Sequence, residues 1–401
     1  MGYFLRNGSE VFTCQTDVSK AFDMVKFSLL FRKLLERGFS RIFLRTFIFI
    51  YSFQFANVRW NGVFSNMFSL CNGVRQGAIL SGILYCFYVN EIFEILHEKR
   101  LGCWINNNFH GLAGYSDDNW VLSPSLNGLQ EMLKIIETYC TPHYLKFSTD
   151  PDPQKCKTKC IAFLNRQRPL PDVFLCGNRL PWVDHGVHLG NHFDNSYDGM
   201  KKDVAVKRGQ FIQKCCELQQ EFFYAHPRTK VLINGIYNCH FTGSPLWDLF
   251  GNEVGQLEKT WNTTIRRMFN LPFTTHRYLI EPVSGTRHLR KILLQRFISF
   301  LHQISCSKKI ATKQLLDFIQ RDARSITGSN VRQILRLTNK HNWKDIKYCD
   351  IDAIEYFNIS EHDKWRVNLI AEITELKMNE VAIEGFNVDE LETILDYACT
   401  S

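Results

Sequence analysis

The chain has 401 residues, 45% apolar and 22% charged, a globular balance and a length that suits two or three domains. A net charge of +8 favours an anionic partner, and no apolar run reaches the roughly 18 residues that a bilayer span needs. The N-terminus (Met1-Gly2-Tyr3-Phe4-Leu5-Arg6) lacks the basic-then-apolar layout of a signal peptide, and Arg6 stands where a myristoylation start wants Ser or Thr.

In chain order, residues 11–17 read as a strand that delivers Asp17 at its C-terminal end. Val18-Ser19-Lys20-Ala21-Phe22-Asp23 then turns the chain toward a helix, in which Leu29, Leu30, Leu34 and Leu35 recur at helical spacing until Gly38 stops it. A second apolar helix is expected over about 40–53, and a hairpin around Asn61-Gly62 over 55–70. Gly73-Val74-Arg75-Gln76-Gly77 is a loop that opens a long apolar helix from about Ala78 to Glu98; its glycines permit close backbone approach to a ligand, or serve as a plain hinge. Next, apolar residues lead into and out of Gly114-Tyr115-Ser116-Asp117-Asp118-Asn119-Trp120. That pattern predicts two strands joined at a tight turn with adjacent carboxylates at its tip. Ser, Asp and Asn are ordinary turn formers, so a plain β-turn stands beside a metal site as the reading of this stretch alone.

Residues 125–141 carry an amphipathic helix capped by Ser125 or Asn127. A strand follows over Lys157–Phe163, and a strand pair over Val173–Leu189 around Gly177-Asn178. From about Asn191 the pattern is helical, with candidates over 203–224, 229–240 and 256–269. The final stretch is more charged and turns acidic over Asn379–Glu392. Five basic residues and no acid lie between Lys155 and Arg168, and Lys201, Lys202, Lys207 and Arg208 form a second basic cluster; each reads as a solvated face or as a phosphate track. The fourteen cysteines are scattered in apolar contexts, as Cys86 and Cys160 illustrate, which favours reduced, buried thiols in a reducing compartment. Cys140, His143, Cys156 and Cys160 would also assemble a zinc site on paper, although Cys160 suits a core strand.

The order strand, helices, two strands, helix, strand is the split β-α-β-β-α-β arrangement, so the fold class is α+β, an antiparallel sheet with helices on one face. In that topology the first strand lies beside the central hairpin. Asp17 and Asp117, 100 positions apart, can then meet at one sheet edge with Asp118. Three carboxylates without histidine suit two Mg²⁺ ions about 3.5–4 Å apart better than zinc.

Asp17-Val18-Ser19-Lys20-Ala21-Phe22-Asp23, Gly73-Val74-Arg75-Gln76-Gly77-Ala78-Ile79-Leu80-Ser81 and Tyr115-Ser116-Asp117-Asp118, in this order, resemble the A, B and C motifs of reverse transcriptases, in particular those of non-LTR (LINE-type) retrotransposons. Lys157-Thr158-Lys159-Cys160-Ile161-Ala162-Phe163 is similar to the D motif of that family, and His188-Leu189-Gly190 to its E motif. The resemblance implies a polymerase palm over 1–190 with residual fingers, a helical thumb-like region over 191–280 and a helical C-terminal extension over 281–401. It implies RNA-directed DNA polymerase activity with two Mg²⁺ ions (Mn²⁺ as an alternative), an RNA template, a DNA primer and deoxynucleoside triphosphates, at an intracellular site in cytoplasm or nucleus and away from membranes. By the same resemblance, Asp17, Asp117 and Asp118 hold metal. Phe22 blocks a 2′-hydroxyl, and Arg75, Gln76 and Gly77 contact template and incoming base. Lys157 serves the leaving pyrophosphate, with Lys155 and Lys159 as neighbours that compete for the role, while His188, Leu189 and Gly190 grip the primer.

Gly82 stands where the family usually has Pro, and Asn119 where Thr, Ile or Val is usual. Only 16 residues precede Asp17, which suggests a truncated reading frame or a fragment of a larger polyprotein with its fingers missing. Two further readings compete with the polymerase: a catalytically silent nucleic-acid-binding remnant of such an enzyme, and a two-metal nuclease. The nuclease reading leaves the glycine loop unexplained.

Overall fold

β1 (Val11–Asp17) follows a one-and-a-half-turn helix, α1 (Gly2–Arg6), and its first four residues are all buried. A strand covered on both faces needs neighbours on both edges, and β1 has them. In the computed structural model, which describes residues 1–195, 200–238, 241–322, 324–354 and 366–370, it pairs antiparallel with two later strands. The chain divides into two units, Met1–Leu189 with Asp194–Tyr197, and Gly190–Phe193 with Asp198–Ser401.

In the first unit, α2 (Phe27–Glu36) and α3 (Arg41–Ser52) follow β1. The Ser40 hydroxyl caps α3 by accepting from the Phe43 N–H. β2 (Phe55–Ala56) pairs with β5 (Phe68–Ser69), and inside that pair β3 (Arg59–Trp60) meets β4 (Val63–Phe64). The Asn61-Gly62 turn between them takes φ of 45° and 83°, the left-handed pair that a two-residue hairpin asks for. The expected helix over 78–98 is instead two, α4 (Ser81–Val89) and α5 (Glu91–Glu98), with residues 78–80 in turns and Asn90 between the helices.

A small hairpin, β6 (Trp104–Ile105) and β7 (Asn108–Phe109), precedes the central one, β8 (Leu112–Tyr115) and β9 (Asp118–Ser123). α6 (Leu126–Cys140) then crosses the sheet with Ser125 as its cap. β10 (Lys159–Phe163) completes the sheet and begins two residues later than the sequence pattern suggests. β11 (Phe174–Leu175) and β12 (Asn178–Arg179) form the next hairpin, whose turn is Cys176-Gly177 rather than Gly177-Asn178. β13 (His185–His188) is separate from it.

The four-stranded sheet has the order β10-β1-β9-β8, antiparallel throughout. This is the split β-α-β-β-α-β topology expected from the sequence. One sheet face packs on the helices through a core that includes Cys14, Leu84, Tyr85, Val121, Met132 and Ile136. Removing these apolar side chains from water is worth about 1.5–3 kcal/mol for each large one.

The division between the units falls within β14 (Asn191–Asp194), a strand that the helical pattern after 191 did not suggest. The second unit continues with α7 (Lys201–Glu221), α8 (Pro227–Asn238), α9 (Asn252–Met268), α10 (Arg277–Ser284), α11 (Leu289–Ser305), α12 (Ile310–Arg321), α13 (Ile326–Thr338) and α14 (Tyr348–Asp352). The fully buried Trp247 donates through Nε1 to the equally buried Asp203 carboxylate at 2.7 Å. One hydrophobic core includes residues from Val204 to Ile370, on both sides of residue 280, where the resemblance implies the end of the thumb-like region. The acidic Asn379–Glu392 stretch lies outside the described residues. Among the described residues no helix is long and apolar enough to cross a membrane.

Candidate active site

The register of the sheet sets the site. Asp17, the last residue of β1, is the partner of Asp118, the first residue of β9, and Tyr115 is the partner of Asp118 across the β8–β9 turn. The turn itself is Ser116-Asp117, with Ser116 at φ 60°. Directly opposed residues in an antiparallel ladder hold their Cβ atoms about 5 Å apart, and like charges so placed repel. Asp17 and Asp118 thus face each other across the ladder, with Asp117 one residue away at the tip. All three are part-buried. Among the described residues neither Asp17 nor Asp117 forms an ion pair with a basic side chain, and both are hard oxygen donors.

Alternation along the strands puts Thr13, Gln15 and Asp17 on the same sheet face as Trp120 and Asp118. β13 lies over that face. Gln15 Nε2 donates to the Val187 carbonyl at 3.0 Å, and the Trp120 and His188 rings lie 5.4 Å apart. Gly186 permits the approach, because a Cβ there would press on Gln15 Oε1 and lie 2.7 Å from Ile161 Cδ1. At the end of β13 the His188 Nδ1 is 3.1 Å from Asp118 Oδ1 but is not aligned for a hydrogen bond. The Leu189 N–H donates to Asp118 Oδ2 over a long 3.4 Å. The third residue of this group, Gly190 (φ 72°), belongs to the second unit, where its carbonyl accepts from Lys207 Nζ at 3.0 Å.

The glycine loop is bound to the segment after Asp17. The Gly73 N–H donates to the Val25 carbonyl at 2.8 Å and the Val74 N–H to the Phe22 carbonyl at 2.9 Å. Gly73 has φ 87°, and a Cβ on it would lie 3.0 Å from the Asp23 Cα. Phe22 is part-buried and stacks on Tyr85, with centroids 5.2 Å apart. This contact satisfies a packing role whatever else Phe22 does. Burial, with the neighbouring charges of Cys140 and Asp117, raises the Tyr85 phenol above its ordinary value and keeps it neutral. Arg75 Nε reaches Gln54 Oε1 at 3.3 Å, while Gln76 and Gly77 are exposed.

Lys157 is exposed and stands beside Asp17 through its neighbour: the Asp17 N–H donates to Thr158 Oγ1 at 3.2 Å. Ser148 knits the two segments together, donating its N–H to the Asp17 carbonyl at 2.8 Å and accepting from the Lys157 and Thr158 N–H groups. Lys155 is engaged with Asp152 at 3.6 Å, and Lys159 lies within β10 opposite Gln15. Thr158, Ser148, Gln15 and Trp120 are thus site residues that sequence reasoning did not single out.

Among the described residues no three His, Cys, Asp or Glu side chains converge to hold a metal ion by themselves. The zinc cluster considered from the sequence does not form. His143 stacks on Tyr139 at 4.1 Å with Nδ1 2.7 Å from the Tyr139 carbonyl, and Cys160 is buried in β10 against Cys14. The hydrogen bond with Cys160 and burial hold the Cys14 thiol well above its ordinary range, so it is an inert core group. Cys86, expected to be buried, is exposed on α4. For a divalent cation the carboxylate edge would supply only part of a coordination sphere; magnesium commonly takes one or two carboxylates and completes its shell with water and phosphate oxygens.

The reverse transcriptase (RNA-dependent DNA polymerase) family matches residues 3–185. The Retrovirus-related Pol polyprotein from type-2 retrotransposable element R2DM of Drosophila melanogaster is 25% identical over 269 residues, which cover 64% of this chain and 24% of that protein. The chain therefore spans about a quarter of the length of that relative. A structure of telomerase from Candida albicans, in complex with a fragment of telomeric RNA, aligns at 14% identity and a TM-score of 0.29, covering 80% of this chain and 51% of that one. The segment that matches the reverse transcriptase family, residues 3–185, is the one whose sheet brings Asp17, Asp117 and Asp118 to one edge, and the chain is similar over 269 residues to a non-LTR retrotransposon polyprotein.

Proposed function

We propose that the first unit is the catalytic core of an RNA-directed DNA polymerase that adds deoxynucleotides to a primer 3′ end. The observation that carries this reading is the register in which Asp17 opposes Asp118 beside the turn that holds Asp117. Two divalent cations, Mg²⁺ or Mn²⁺, would there activate the primer 3′-oxygen and stabilise the charge on the leaving oxygen. Asp17 and Asp117 are the residues to hold them. Phe22, fixed on Tyr85, limits the space beside the sugar 2′-position. Arg75, Gln76 and Gly77 line the path of template and incoming base. The exposed Lys157 is placed to neutralise or protonate the departing pyrophosphate. His188, Leu189 and Gly190 form the turn that steadies the primer.

Charge supports the choice of partners. From Arg37 to Asn90 the sequence contains no Asp or Glu, and Arg41, Arg45, Arg59 and Arg75 are exposed among aromatic side chains such as Trp60 and Phe64. Arginine with exposed aromatic rings suits single-stranded nucleic acid, by phosphate contact and base stacking. A silent nucleic-acid-binding remnant is the second reading, favoured by the absence of a self-sufficient ligand cluster among the described residues.

Primer extension on an RNA template with Mg²⁺, comparing wild type with Asp117→Ala, separates the two. Extension that the substitution abolishes supports the polymerase. No extension by either protein, with salt-sensitive RNA binding retained, leaves the remnant.

A further inference from the structure

The carboxylate next to the turn is engaged differently from its two neighbours. Among the described residues Asp17 and Asp117 make no ion pair, whereas Asp118 meets two groups of one loop, His188 Nδ1 at 3.1 Å and the Leu189 N–H at 3.4 Å. Leu189 has φ 50°, the left-handed region in which a side chain with a Cβ costs about 1–2 kcal/mol, and it is 48% exposed. A bulky residue keeps such a conformation where its surroundings hold it. Here the surroundings are polar and directional. The Val187 carbonyl is tied to Gln15, the His188 ring lies against Trp120, and Asp118 takes the last tie nearest the carboxylate edge. His188 Nδ1 is buried with no hydrogen bond of its own, so the Asp118 oxygen is the charge it faces.

We infer that Asp118 is a positioning residue rather than a metal ligand: it latches the 188–189 turn to the carboxylate edge and thereby sets where the primer terminus rests. Its two oxygens are directed at the turn, so Asp17 and Asp117 are left as the pair that serves the cations. The proposal rests on the polymerase reading for the word primer, and on geometry alone for the latch.

The two parts are tested separately on the full chain. Hydrogen exchange over a peptide spanning 186–190 reads the latch without nucleic acid or metal. Asp118→Ala should speed exchange there by roughly tenfold, the loss of one charge-assisted hydrogen bond, and His188→Ala, which removes the ring between Trp120 and Asp118 but keeps the Leu189 bond, should speed it in the same direction by less. Asp118→Asn, which keeps an acceptor for the Leu189 N–H, should stay within about threefold of wild type. Asp17→Asn should leave the peptide unchanged. The second readout is 2-aminopurine fluorescence at the 3′ end of a primer–template duplex, bound in EDTA. Asp118→Ala and His188→Ala should shift it in the same direction, the double variant no further than Asp118→Ala alone, and Asp118→Asn should largely restore the wild-type signal. Unchanged exchange in Asp118→Ala overturns the latch. Faster exchange with an unmoved terminus overturns the positioning role. An Asp118→Asn variant that matches Asp117→Asn in lost Mg²⁺ binding by calorimetry makes Asp118 a metal ligand and overturns the proposal. Failure of the wild type to bind primer–template refutes the polymerase reading, and with it the positioning role, while exchange still decides the latch.

Discussion

Gly73→Ala isolates the role of the glycine loop, because Gly77 provides its control within the same loop. Both have φ near +85° (87° and 84°), so alanine at either site bears the left-handed penalty of about 1–2 kcal/mol. Only Gly73 is crowded. An added Cβ would lie 3.0 Å from the Asp23 Cα, 3.2 Å from the Asp23 carbonyl oxygen and 3.3 Å from that of Phe22, all backbone atoms that cannot rotate aside. At Gly77 nothing lies within 4 Å. Relief of the clash stretches the Gly73–Val25 and Val74–Phe22 hydrogen bonds, each worth about 0.5–1.5 kcal/mol. Gly73→Ala should therefore cost about 2–4 kcal/mol and Gly77→Ala about 1–2 kcal/mol. For a unit of this size, each kcal/mol moves the midpoint by about 2–4 °C. Thermal unfolding followed by circular dichroism, with hydrogen exchange over 22–25 to assign the change to the first unit, measures both. Equal losses in the two variants would refute the reasoning, since the close approach to Asp23 would then carry no energy.

Phe22→Val should raise incorporation of ribonucleotides relative to deoxynucleotides in single-nucleotide extension. An unchanged ratio in an active variant reduces Phe22 to its stacking contact with Tyr85. In the second unit, Glu258 is 6% exposed; burial alone would raise its carboxyl, but the His288 hydrogen bond and the Arg290 charge outweigh it and hold the carboxyl below its ordinary value of 4.5. A carboxylate so depressed adds stability above its unfolded value that is lost as pH falls through the lower folded one. Glu258→Gln should thus cost about 3 kcal/mol at pH 7 and much less near pH 3, read as denaturation midpoints at the two pH values. An equal loss at both would show that the carboxylate charge is immaterial.

Local rules with a physical mechanism carried far. Ser125, one of the two caps expected, caps its helix, and Asn61-Gly62 turns its hairpin. The alternation of strands and helices was enough to bring Asp17 beside Asp118, because one topology serves that order. What escaped was either too short or too distant. β6 and β7 have two residues each, so no period of two can register, although their left-handed Asn106-Asn107 turn is a signal in hindsight. The break at Asn90 is invisible to hydropathy because both flanking helices are apolar. Thr158 under the Asp17 N–H, and His188 beside Asp118, are meetings across 141 and 70 positions that no local pattern encodes.

The sheet order also has a consequence for synthesis. β1 is made first, yet its partners β9 and β10 emerge more than a hundred residues later. Until then a nascent chain presents Val11–Asp17 with both hydrogen-bonding edges open, the condition under which apolar strands recruit one another. A ribosome paused before residue 118 would hold an aggregation-prone strand, and one paused before 159 a sheet with one edge still exposed. Folding of the carboxylate edge is thus bound to nearly the whole of the first unit being present, and chaperone demand should be greatest over that interval of translation.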